Sequence, residues 1–196
     1  EKLTSFKQPF FSSVFTISSH NPYTIPKKYN GKFPKGKTKI LESIAYSDYA
    51  LKQFFETAKK QEWYNNTIFV LAKHKTNVGK FSIPILFFDP SNPELKGEIE
   101  KNIQQIDIMP SLIDYLNIET KMVTYGKSFK SKKNFVVYFL DNIYHYINDD
   151  YYMAFDGKKA IGLYNFKTDE LLKNNLLKSN SVIADQMEKF IKAYVQ

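Results

Sequence analysis

The sequence contains neither cysteine nor arginine. Without thiols there is no disulfide framework and no thiolate metal site, and the redox state of the compartment leaves no mark on the composition. Without guanidinium groups nothing can offer the planar bidentate fork that reads guanine edges or clasps phosphate and sulfate, so every fixed cation is the point charge of a lysine. No apolar run reaches the roughly 20 residues needed to cross a bilayer, and no signal peptide opens the chain, so the chain as given is expected to be soluble. A phosphate-cradling glycine loop, a zinc-type HExxH, an internal repeat and low-complexity segments are also missing. What is there is a chain of 196 residues, 43% hydrophobic and 16% aromatic, which suffices for a substantial core and argues against disorder. The net charge of +8 comes from lysines placed from Lys2 to Lys192. Read as dispersed, such charge is a solvated surface, and no nucleic-acid partner is expected.

The stretch that organises the chain is Pro9 to Pro26. Phe10, Phe11, Val14, Phe15 and Ile17, with only Ser and Thr between them, predict a largely buried strand. It stops at Ser18, Ser19, His20, Asn21 and Pro22, turn formers placed where an α/β sheet keeps its ligands, beyond the carboxyl ends of its strands. Lys27 to Lys39 reads as an exposed connector. Helical spacing follows, with Ile40, Ile44, Leu51, Phe54, Phe55 and Ala58 on one face, Thr38 as N-cap, and Tyr46 to Tyr49 interrupting the apolar face with polar tips.

Thr67 to Ala72 and Ile83 to Phe88 are short continuous apolar runs, as expected of strands covered on both faces. Only ten residues, Lys73 to Ser82, join them, where a parallel crossover needs a dozen or more. The two strands are therefore antiparallel, or residues are absent between about Ala72 and Lys75. Ile106 to Leu116 predicts a short helix capped by Asp107, with Pro110 in its first turn. From Asn134 four short β-type runs separated by turn residues predict an antiparallel meander. Ser181 opens a last amphipathic helix carrying Ile183, Met187, Phe190, Ile191 and Tyr194. The expected fold is α/β: a layered sheet with flanking helices over residues 1–133, then a small antiparallel sheet with a C-terminal helix over 134–196.

In their order, PFFSSVFTISSHNPYTIP, SIAYSDYALKQFFETAKKQEWYNNTIFVLA, GKFSIPILFFDP, QQIDIMPSLIDYLNI and LYNFKTDELLKNNLL resemble the carboxyl-terminal half of a lipoteichoic-acid-synthase-like phosphoglycerol transferase. That group belongs to the sulfatase and alkaline phosphatase superfamily. The resemblance implies an alkaline-phosphatase-like layered sheet and a membrane-tethered enzyme with its catalytic domain outside the cytoplasmic membrane. It also implies a divalent metal (Mn, Mg, Zn or Ca) and an anionic phosphate or sulfate ester as substrate. His20 matches the histidine of the family's TxxxH block, which contacts the substrate. The threonine nucleophile, the first acidic metal ligand and the membrane tether belong to the family's preceding half, so no catalytic residue is assigned in this chain.

Where the family carries a metal-binding Asp-His pair this sequence has Lys73 before His74. A lysine cannot replace a carboxylate ligand, so the metal set is not assigned and His74 stands alone. The family's arginine is missing as well. Two readings follow: part of a metal-dependent phosphoglycerol transferase or sulfatase acting at the cell envelope, inactive without its other half, or a non-catalytic module of the same fold that binds an anionic glycan or lipid headgroup.

Overall fold

The computed structural model of the chain describes residues 2–72 and 84–196, and within the chain two compact units separate: Glu1–Phe69 with Phe87–Leu95, and Val70–Leu86 with Lys96–Gln196. The expected metal-loop position His74, and the shortened connection next to it, lie outside the described residues.

The first unit is built around α1, Lys39–Ala58. Thr38 sits at its N-cap in extended conformation, and Glu42 in the first turn suits the positive end of the helix dipole. Two groups of aromatic rings hold the unit together. In one, Phe55 packs edge-to-face on Phe69 and Phe88 at centroid distances of 5.1 and 5.7 Å. Trp63 is buried beside Phe10 and donates its Nε1–H to Thr4 Oγ1 at 3.3 Å. In the other, Tyr29 and Phe33 pack on Tyr46 and Tyr49 of α1 at 5.3 to 5.9 Å. Edge-to-face pairs of this kind add stability beyond the area they bury.

The run from Phe10 to Ile17 departs from expectation. It forms no strand, and Phe11, Val14, Phe15 and Ile17 are 71–85% exposed. A strand exists only where a neighbour accepts and supplies its backbone hydrogen bonds, and among the described residues none pairs with this run in a sheet. The pattern of the side chains specified what the segment can pair with, but pairing needs a second chain segment.

β1 (Phe69–Ala72) and β2 (Ile85–Phe88) are hydrogen-bonded neighbours in a two-stranded sheet where their apolar runs predicted strands, but they are not covered on both faces as expected: none of their residues is fully buried and Leu86 is 56% exposed. In the second unit, α2 (Ile108–Tyr115) carries Pro110 in its first turn, where the missing N–H costs nothing. Asp107 precedes it, but its carboxylate does not cap α2. It bonds backward to the backbone of Gln104 and to Lys127.

β3 (Phe135–Leu140), β4 (Ile143–Asn148), β5 (Tyr151–Phe155) and β6 (Ala160–Asn165) form the antiparallel meander in sequence order. The β3–β4 turn places Asp141 and Asn142 at φ of 51° and 61°, the left-handed pair that a tight two-residue hairpin demands and that Asp and Asn tolerate. α3 (Ser181–Val195), preceded by Asn180 at its N-cap, lies on one face of this sheet. Met187 and Ile191 are buried among Phe135, Tyr146, Met153, Phe155 and Leu163. This is the main core of the protein, and α3 docks through the residues its spacing predicted.

Candidate functional site

The site must be assembled from His20, because the other two histidines are accounted for differently. His145 stacks on Tyr138 with ring centroids 4.5 Å apart and its Nδ1 lies 2.8 Å from the Tyr152 hydroxyl, within a ladder of rings that continues to Tyr164. It is a packing residue, and no sequence signal had singled it out. Burial, with a smaller contribution from Tyr152, pushes the Tyr138 phenol up to about 12, so that phenol stays neutral at physiological pH. His74 falls outside the described residues.

His20 occupies a tight turn. Its backbone N–H bonds to Ile17 O at 2.9 Å, and Tyr23 N–H bonds back to His20 O at 2.5 Å. Tyr23 adopts φ of 61°, a left-handed conformation that costs a bulky side chain energy and persists only where the surroundings enforce it. The turn is tied to α1 through Ser19. Ser19 Oγ lies 3.1 Å from Ser47 Oγ, Ser47 Oγ bonds to Ser43 O at 2.8 Å, and the buried Ser43 bonds to Ile40 O at 2.8 Å. The polar interruption of the helix face is thus the seat of the histidine turn. Of the interruption at Tyr46 to Tyr49 it is Ser47 that meets the turn; Ser43 was not among the expected residues, and its place four residues before Ser47 on the same helix face is the signal that could have found it.

The imidazole of His20 is exposed, and among the described residues no group bonds its ring. A ring presented on a fixed turn, with both nitrogens free, can donate to an anionic oxygen or exchange a proton with a bound group. It cannot by itself hold a metal. Among the described residues no three of His, Asp or Glu converge, and the buried Asp107 carboxylate is consumed by Lys127. The described residues therefore do not by themselves supply a site for the divalent ion that the fold family implies.

Comparison with known proteins agrees with the fold. The Sulfatase family model matches residues 2–118. Lipoteichoic acid synthase 1 of Bacillus subtilis is 26% identical over 89% of this chain and 30% of its own length, and the lipoteichoic acid synthase of Staphylococcus aureus is 26% identical over 85% of this chain and 29% of its own length. The chain thus spans about a third or less of these relatives. A crystal structure of a protein in the alkaline phosphatase superfamily from Vibrio parahaemolyticus superposes with a TM-score of 0.75 at 26% identity, covering 99% of this chain and 51% of that one. In the first alignment about 174 residues of this chain are spread over 208 positions, so at about 34 positions the relative has a residue where this chain has none.

Proposed function

The chain belongs to the sulfatase family, and from that premise we propose that it forms the substrate-binding side of an enzyme that transfers or hydrolyses phosphate or sulfate esters of lipids or glycans at the cell envelope. Phosphoglycerol transfer is the reaction favoured, because the matched region extends past the family model along nearly the whole chain in the two synthases. The substrate is an anionic ester, and the working enzyme is held at the membrane with its catalytic portion outside the cytoplasm.

The observation that carries the reading is His20, exposed on its turn and, among the described residues, without a hydrogen-bond partner on its ring. Its role is to donate a charge-assisted hydrogen bond to a non-bridging oxygen of the ester, or to move a proton at the acceptor hydroxyl. Residues 1–133 supply this part of the α/β layer, a reading supported by a family match that ends at 118, and residues 134–196 form a small antiparallel subdomain with its C-terminal helix. The nucleophile and the metal are supplied by parts of the fold not assigned here. We place the shortfall in length between Ala72 and Lys75, where the family's metal-binding Asp-His gives way to Lys73 and His74.

The test is a two-substrate assay of the full-length protein: release of diacylglycerol from a phosphoglycerol lipid, against release of sulfate from a sulfate ester. Turnover of the lipid supports the proposal, and turnover of the sulfate ester alone moves the reaction to hydrolysis. Binding of either anion with no turnover replaces the enzyme by the non-catalytic binding module.

A further inference from the structure

The positive charge of the chain is not dispersed. Residues 2–41 contain eight lysines and no Asp or Glu, while the remaining 156 residues hold 20 of each sign and cancel, so forty residues carry the whole net charge of +8. Six of these lysines, Lys27, Lys28, Lys32, Lys35, Lys37 and Lys39, fall within thirteen residues, and all six are exposed.

The segment that bears them is fixed in place. Tyr29 and Phe33 turn inward onto Tyr46 and Tyr49, and at its far end Gly36, at φ +61°, lies so close to Leu41 that an added Cβ would come within 2.5 Å of that side chain. Among the described residues none of the six enters an ion pair. The arrangement also has a cost. Lys37 precedes and Lys39 opens α1, at the end of the helix where the macrodipole disfavours cations, and Thr38 makes no side-chain cap there. Charge held against a local rule, without a carboxylate to relieve it, points to an external anion.

We propose that this lysine strip is a docking surface for an anionic lipid bilayer. The chemistry discriminates among polyanions. Nucleic acids and glycans are gripped by stacking on free aromatic faces as well as by charge. Here the aromatic rings of the strip, Tyr29 and Phe33, are occupied by their own cluster, with Lys28 and Lys32 also lying 5.0 and 5.3 Å from the Tyr29 centroid. Exposed lysine heads need no bidentate geometry and suit a sheet of headgroup charge, each contributing independently. This contact is separate from the ester chemistry proposed above and stands if that reaction proves different.

The experiment is co-sedimentation of the protein with vesicles of phosphatidylcholine, alone or with 30% phosphatidylserine, which carries no phosphoglycerol group to transfer, at low and high salt. The expected result is binding only to the anionic vesicles, abolished by salt. Replacing Lys27, Lys35, Lys37 and Lys39 by Gln should weaken it by about 10²-fold or more. Replacing the exposed Lys158, Lys159, Lys167 and Lys173 by Gln, the same change in net charge, should weaken it far less. A double Lys35→Glu, Lys37→Glu variant, checked for an unchanged thermal melt, provides the same comparison if the quadruple variant misfolds. Equal losses in the two quadruple variants overturn the proposal, as does the absence of anionic vesicle binding. Strip-dependent binding to soluble inorganic polyphosphate without vesicle binding would overturn it in favour of a polymeric partner.

Discussion

The ammonium of Lys127 lies 2.7 Å from Asp107 Oδ2 with both side chains buried, and every hydrogen bond either group can form strongly is made. Lys127 Nζ also donates to Asn102 O and Phe135 O at 2.9 Å each, and Asp107 accepts from the backbone N–H groups of Gln104 and Lys127 at 3.0 and 2.7 Å. One pair thereby ties the approach to α2, the segment before β3, and β3 itself.

Breaking that pair from one side should be costly. Lys127→Met leaves the Asp107 carboxylate buried without its cation and is expected to lower stability by about 3–5 kcal/mol, seen as a shift in the urea midpoint at constant slope. Adding Asp107→Leu to the same protein should recover much of the loss. If the double variant is as unstable as the sum of the two singles, the pair is not the coupled unit described here.

The packing of α3 predicts a second loss. Ile191 is fully buried among Met153, Phe155 and Leu163, so Ile191→Ala is expected to cost about 2–5 kcal/mol. Deletion of residues 181–196 uncovers the whole face and should make the protein precipitate. A soluble truncation that still melts cooperatively would show that the sheet does not depend on α3.

The turnover prediction concerns His20. In the full-length enzyme His20→Ala should reduce turnover by about 10²-fold or more while leaving the melting temperature unchanged, in the range for loss of one acid-base or oxyanion-stabilising group. Ser47→Ala, which removes the seat of the turn without touching the ring, should give a smaller loss. Normal turnover of a folded His20→Ala protein would make the histidine a bystander.

A pH dependence follows from Glu188. Its hydrogen bond to Lys192 at 2.5 Å, helped by the Ala160 N–H at 3.1 Å, holds its carboxyl below the ordinary value of 4.5. A carboxyl depressed in the folded state stabilises the fold above the unfolded pKa, and that stability is lost as pH falls through the folded one. Because Lys192 is 46% exposed, the contribution is small, about 0.5 kcal/mol or less. Glu188→Gln should therefore lower the urea midpoint slightly at pH 7, and the difference from the parent should vanish in acid below the ordinary glutamate range. A difference that persists there, or grows, would contradict the assignment.

Local pattern accounts for the elements whose partners are close in sequence. α1 and α3 follow their spacing, and the four-stranded meander follows from alternating runs joined by turn residues such as Asp141 and Asn142, because a hairpin strand finds its neighbour a few residues away. The ordered blocks likewise made the family legible. The sequence could not show that the Phe10–Ile17 run would lie exposed, since an apolar alternation states a demand for burial and not whether a partner segment meets it. Nor could it show that Asp107 would turn away from α2 toward Lys127, twenty residues on, or that His145 would be locked between Tyr138 and Tyr152 while His20 stands free. Those outcomes depend on which distant groups meet, and only the tertiary structure, by bringing them within hydrogen-bonding distance, decided them.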